Sequence, residues 1–102
     1  MGVRCNAERG RVTFAFDGDI DEYACRTLRE SIDSVIAEKR PAEVVFDLGG
    51  VAFVDSTGLG LILGRYKKIA ATGGVLRLKD VPTQVDKVFR ASGVYSVVEK
   101  VR

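Results

Sequence analysis

Histidine and tryptophan are absent from this 102-residue sequence, and cysteine (two), proline (two) and methionine (one) are scarce. The lack of histidine removes Ser-His-Asp and Cys-His catalytic arrangements, imidazole metal ligands and the usual pH switch together. Cys5 and Cys25 are too few for a disulfide framework or a metal knuckle. They read as two reduced thiols packing as small hydrophobes. No apolar run approaches the length of a membrane span. The start, from Met1 to Cys5, lacks the apolar stretch of a secretory leader. Asn6 stands where a myristoylation signal needs Ser or Thr. The expected location is the cytoplasm, with no membrane partner. A large charge of one sign is missing too. Sixteen Lys+Arg against fourteen Asp+Glu leave +2, far from the excess of a nucleic-acid binder.

What is present is ordinary globular chemistry, 46% hydrophobic and 29% charged. That suits one domain over 1–102 with one core. Residues 3–8 form a short extended candidate, and Arg9-Gly10 a turn. From Arg11 to Phe16 the pattern alternates, with Val12, Phe14 and Phe16 on one face, as in a half-buried strand. Asp19 or Asp21 then caps a helix of roughly 21–39. Its stripe is Ala24, Leu28, Ile32, Val35 and Ile36, while Arg26, Arg29, Glu30, Asp33 and Glu38 face water. Lys39 and Arg40 suit its negative end and Pro41 stops it.

Glu43 to Leu48 is a nearly continuous apolar strand, predicted to be buried on both faces. Gly49-Gly50 turns the chain, and 51–54 enters the next element as a loop or bridge. Residues 56–71 read as a helix with Leu59, Ile62, Leu63, Tyr66, Ile69 and Ala70 inward, ended by Gly73-Gly74. A strand holds Val75, Leu76 and Leu78. Pro82 opens a third helix at its first position, with Val85, Val88, Phe89 and Ser92 inward. Gly93 closes it, and 95–101 form a final strand. The order ββαβαβαβ gives an α/β fold: a mixed, mostly parallel sheet with an N-terminal β-hairpin and three helices.

Several motifs resemble chemistry and fail. Gly58-Leu-Gly-Leu-Ile-Leu-Gly64 is one residue too long for a dinucleotide fingerprint and lies inside a helix. Gly60 and Gly64 are instead expected to let the helix approach a neighbour closely. Asp17-Gly-Asp-Ile-Asp21 starts like a calcium loop, but Glu22 and Leu28 stand where Gly and a bidentate Glu are needed, so no metal site is expected. Val54 breaks the nucleophile-elbow pattern around Ser56. Arg65, Lys67 and Lys68 read as a solvated face, with no aromatic platform for a nucleic acid. No catalytic residue emerges.

Asp55-Ser56-Thr57-Gly58 is different. Either Asp55 or Ser56 serves as the N-cap of the second helix. A small hydroxyl at a helix N-terminus is also where a phosphate is readily accepted, because free N–H groups and the positive dipole end favour the anion. Phosphorylation adds about −1.5 to −2 charge. The Asp17, Asp19 and Asp21 turn ends a neighbouring strand, so such a phosphate would deepen an acidic rim.

These residues resemble a family. The run from Asp55 to Lys67, Asp-Ser-Thr-Gly-Leu-Gly-Leu-Ile-Leu-Gly-Arg-Tyr-Lys, is similar to the signature of the bacterial anti-anti-sigma factors, the STAS-domain family. Its Leu-Gly-Arg-Tyr-Lys end resembles most the sporulation branch, the antagonists of anti-sigma F factors. Gly18-Asp-Ile-Asp21 and Ala91-Ser-Gly-Val94 resemble that family's early turn and late Ser-Gly segment. The resemblance implies a STAS-like fold and a phosphorylation-controlled partner switch rather than an enzyme. The unmodified protein would bind an anti-sigma factor that is also an ATP-using serine kinase, releasing the sigma factor. Phosphorylation of Ser56 by that kinase would end binding, and a manganese-dependent serine phosphatase would reset it. ATP or ADP would belong to the kinase, so no cofactor is expected here. The partner-binding set implied is Asp19, Asp21, Asp55, Ser56, Thr57, Gly58, Leu59 and Gly60. The relatives carry a further helix after the last strand, whereas this sequence stops at Arg102, and Thr57 stands where Ser is common. Two rival readings stay open: a stress-response antagonist or signalling scaffold built on the same domain, and a nucleotide or small-molecule sensor.

Overall fold

A tight turn at Arg9-Gly10, with Gly10 at φ +72°, folds the first two strands onto each other. The computed structural model describes residues 2–101; Met1 and Arg102, the two ends considered above, lie outside it. Strands β1 (Gly2–Glu8) and β2 (Arg11–Asp17) pair antiparallel from Gly2↔Asp17 to Glu8↔Arg11. Then come α1 (Glu22–Lys39), β3 (Glu43–Gly50), α2 (Ser56–Ala71), β4 (Val75–Lys79), α3 (Thr83–Ser92), a 3₁₀ turn (Val94–Ser96) and β5 (Glu99–Val101). The five strands lie in sequence order, and β2 to β5 are parallel. This is the α/β architecture that the alternation predicts.

Each crossover steps the same way along the sheet. Crossovers of one hand therefore lay all three helices on one face. The period of two in the strands agrees. Val12, Phe14 and Phe16 of β2, Val44, Phe46 and Leu48 of β3, and Leu76 and Leu78 of β4 share one cluster with Leu28, Ile32, Ile62, Ile69, Val85 and Phe89 from the helices. Phe46 meets Phe14 and Phe16 edge-on, at 5.9 and 5.1 Å, a favoured aromatic geometry. The other face carries Thr13, Ala15, Val45, Asp47, Arg77 and Lys79 in register. On that face Glu43 accepts from Arg11 at 2.6 Å and from Arg77.

Several expectations are corrected. Burial of β3 on both faces fails at Asp47, which is only half-buried. Val45 is buried but stands outside the core cluster, between Thr13 and Arg77 on neighbouring strands. Gly49-Gly50 continues β3 instead of turning. The stretch 95–101 is a 3₁₀ turn followed by a three-residue strand, because Gly93 at φ +79° redirects the chain. Pro82 is the N-cap of α3 and not its first residue, and Ser92 is exposed. Cys5 is exposed on β1, whereas Cys25 is buried.

The stripe of α2 is also rotated from its expected position. Gly58, Leu61, Ile62, Arg65 and Ile69 are buried, Leu59, Leu63 and Tyr66 are half-buried, and Ala70 is exposed. Arg65 is therefore no part of a solvated face. At 6% exposure it is the one buried charged residue among those described. Its Nε lies 3.0 Å from Asp33 Oδ1 on α1, which draws Asp33 out of the water-facing set. Burial lowers the guanidinium pKa, and Asp33 opposes that.

Candidate functional site

The extended chain on either side of the helical starts forms the site. Beyond β2 and β3 the pairing continues through Gly18 N–H to Gly50 O (3.0 Å) and Ile20 N–H to Phe53 O (2.9 Å). A parallel bridge between Ile20 and Val54 closes this extension, so the Asp17–Asp21 turn runs beside residues 51–55. Both segments then enter helices through an aspartate in extended conformation. Asp21 caps α1, its Oδ1 accepting from Ala24 N–H at 2.9 Å.

Asp55 caps α2 and does more. Its Oδ1 accepts from Gly58 N–H at 2.8 Å, and its Oδ2 from Glu22 N–H at 3.1 Å in the first turn of α1. One carboxylate thus satisfies orphan donors on two helices, each of which leaves its first N–H groups unpaired. Capping by Asp55 leaves the hydroxyl of the next residue, Ser56, without that duty. Ser56 is exposed at the first position of α2.

Gly58 explains how the two segments come so close. A Cβ there would strike the Ile20 carbonyl oxygen and come within 2.8 Å of Val54 Cγ1. By contrast, a Cβ at Gly60 or Gly64 would meet nothing within 4 Å. The close approach expected at Gly60 and Gly64 is made by Gly58 instead, and the other two glycines border open space.

The structure brings the sequence-predicted set together at one end. Asp19, Ser56 and Gly60 are exposed, and Asp21, Asp55, Thr57 and Leu59 are half-buried. Gly58 is the exception. It is buried, and its visible part is to let the loops meet. An open cleft of about 680 Å³ beside this end is lined by Asp21, Glu22, Tyr23, Arg26, Thr27 and Asp55. Tyr23 is 91% exposed and Phe53 52%. Neither was singled out from the sequence. The only signal was Tyr23 lying off the α1 stripe. Beneath the site the buried Cys25 thiol is pushed up in pKa, first by burial and then by the Asp55 charge, which keeps it protonated and unreactive. Among the described residues no cluster of three or more His, Cys, Asp or Glu is placed to hold a metal ion.

The STAS domain model matches residues 5–102. This chain is a STAS domain of the anti-sigma factor antagonist family. It is 32% identical over 98 residues to an anti-sigma F factor antagonist of Paenibacillus polymyxa, covering 96% of this chain and 84% of that protein. It is 30% identical over 82 residues to an anti-sigma-B factor antagonist of Bacillus subtilis, covering 80% and 71%. In three dimensions the STAS domain superposes on the phosphorylated form of the Bacillus cell fate determinant SpoIIAA with a TM-score of 0.77. The identity there is 24%, over 99% of this chain and 92% of that one. These curated relatives, antagonists of anti-sigma factors, are regulators and not enzymes. Among the described residues no helix is long and apolar enough to cross a membrane.

Proposed function

We propose that this STAS domain is a cytoplasmic partner switch, controlled by phosphorylation of Ser56. In this reading the unmodified domain binds an anti-sigma factor that is also a serine kinase, and the sigma factor is released. The kinase transfers a phosphoryl group from its own ATP to the Ser56 hydroxyl. The modified domain lets go, and a serine phosphatase removes the phosphate.

The observation that carries this reading is the exposed Ser56 hydroxyl at the start of α2, spared from capping by Asp55. A dianion there is tolerated by its own helix, because the remaining N–H groups and the dipole favour it. Its neighbours Asp19, Asp21, Glu22 and Asp55 are acidic, so the added charge falls on a rim already negative. A partner suited to the unmodified rim by basic groups would have to accommodate both the bulk and the charge of the phosphate. Gly60 and Gly64 support the same reading. They follow Ser56 at intervals of four residues, hence on one stripe of α2. Each costs the helix about 1 kcal/mol relative to alanine, and no internal packing requires either. A closely approaching partner backbone would account for them. Asp19, Asp21, Thr57, Leu59, Tyr23 and Phe53 border the same surface.

Mixing the domain with a candidate anti-sigma kinase and ATP tests the proposal. Intact mass should rise by one phosphate, mapped to Ser56, and the complex should dissociate. Ser56→Ala should bind and stay bound with ATP present, and Ser56→Asp should bind weakly. Equal labelling of Ser56→Ala would move the site to another hydroxyl, Thr57 first. Sigma-F and sigma-B antagonists both stand among the relatives, so a pull-down that identifies the captured kinase and sigma factor assigns the programme.

A further inference from the structure

The first strand forms one edge of the sheet. Alternate residues of such a strand turn N–H and C=O groups away from their neighbour with no partner. Native sheets blunt edges with charged side chains (lysine above all), proline, bulges, brevity or a covering segment. β1 has no proline or bulge and is not short, and its two charges, Arg4 and Glu8, are of opposite sign. It spans seven residues, Gly2–Glu8, without Lys or Pro, and pairs with β2 in unbroken register. All but Val3 are exposed.

We propose that this edge is a self-association surface, and that its occupant is β1 of a second copy, paired antiparallel about a two-fold axis at Asn6. An isologous contact must be self-complementary, and this strand is. In an antiparallel pair, opposite residues lie on the same face of the sheet. With the axis at Asn6, Arg4 faces the partner's Glu8, and Glu8 faces the partner's Arg4. Both side chains stand on the helix-free face, where Arg4 pairs with Ala15 and Glu8 with Arg11 across the hairpin. Asn6 Nδ2 already reaches the Glu8 carboxylate there, at 3.3 Å. On the helix side the same register sets Cys5 against the partner's Ala7. A groove of about 200 Å³ between β1 and α1, lined by Val3, Tyr23, Ala24, Thr27 and Leu28, adds apolar surface beside the seam. Pairing would join two five-stranded sheets into one of ten.

The overlap of residues 4–8 is small beside the roughly 800 Å² per partner of a standard interface. The dimer is therefore weak, with dissociation at roughly 0.1–1 mM.

Sedimentation equilibrium of the full chain, from micromolar to millimolar concentration, tests this without any reference to Ser56. The wild type should shift from monomer to dimer. Arg4→Glu alone and Glu8→Arg alone should each weaken association roughly tenfold, because two opposite-charge pairs become two like-charge pairs. An equimolar mixture of the two variants should recover wild-type association, since both contacts in the mixed dimer again join opposite charges. Circular dichroism melts establish that each variant is folded. A wild type that stays monomeric at millimolar concentration overturns the proposal. So do single variants that associate like wild type, which would place self-association elsewhere, or a mixture that shows no recovery.

Discussion

Gly58, Gly60 and Gly64 all lie in α2, and replacing each in turn with alanine separates internal packing from an external contact. At Gly60 and Gly64 an added methyl meets nothing within 4 Å. Alanine then contributes only its helix propensity, about 1 kcal/mol over glycine at each position. For a chain of this size that raises Tm by about 4–8 °C per substitution. Gly58→Ala runs the other way. The new Cβ strikes the Ile20 carbonyl oxygen and lies 2.8 Å from Val54 Cγ1. Overpacking of this kind costs about 1–3 kcal/mol. The displaced carbonyl is also the acceptor for Asp55 N–H at 3.3 Å, a bond worth about 1 kcal/mol. The helix gain of about 1 kcal/mol offsets part of this. The net loss is about 1–3 kcal/mol, or roughly 4–24 °C in Tm. Calorimetric melts of the three variants read this directly. Gly60→Ala carries a second readout: it should melt higher than wild type yet bind the anti-sigma partner more weakly, a trade of function against stability. A Gly58→Ala protein as stable as wild type, or a Gly60→Ala protein less stable, would refute the reasoning.

Three further outcomes follow from the same geometry. Asp33→Ala leaves the guanidinium of Arg65 buried without its counter-charge and should cost about 3 kcal/mol in urea denaturation, whereas Arg65→Met, which removes the charge and keeps the bulk, should cost less. Asp86 accepts from Tyr95 Oη at 2.6 Å, Arg90 Nε at 2.7 Å and Lys100 Nζ at 3.2 Å. These bonds, Tyr95 first, hold its carboxyl well below the unfolded value of 3.8, and Glu43 is lowered by Arg11 and Arg77. A depressed carboxyl stabilises the fold above its unfolded pKa and loses that contribution as pH falls through the folded one. Tm should therefore drop below about pH 4, and less steeply in Asp86→Asn, as a pH series of melts would reveal. Phosphate on Ser56 should change Tm little, because an anion at a helix N-terminus is favourable by about 0.3–1 kcal/mol; a loss of many degrees in a melting scan of the modified protein would make the switch one of folding and not of surface charge.

The alternation of strands and helices was legible because period two and period 3.6 are strong signals over these lengths. The rotation of α2 was not, and the reason lies in particular residues. Gly58, Ile62, Arg65 and Ile69 recur at intervals of four, three and four, a clean inward stripe. Two of the four have side chains that do not read as core: one has none, and the other is charged. Leu59, Leu63 and Ala70 filled the pattern in their place. The buried guanidinium became intelligible only with Asp33 beside it, a partner contributed by another helix. Tyr23 and Phe53 went unmarked for the converse reason: apolar residues are not obliged to be inside, and no pattern in the letters flags one that is outside.

The serine shows most clearly what the coordinates add to the letters. In Asp55-Ser56 either side chain can serve as the helix cap, and the two choices have opposite consequences. A capping serine spends its oxygen on a backbone N–H. Had Ser56 been the cap, phosphorylation would have replaced one of the fold's own hydrogen bonds. Asp55, at φ −91° and ψ −175°, takes the duty instead and ties the start of α1 to the start of α2 with its second oxygen. The hydroxyl after it is left outside the fold's own hydrogen bonding, at the point where a negative group costs the helix least. A residue in that position can be altered without altering the domain, which is the condition a reversible mark read by another protein has to meet.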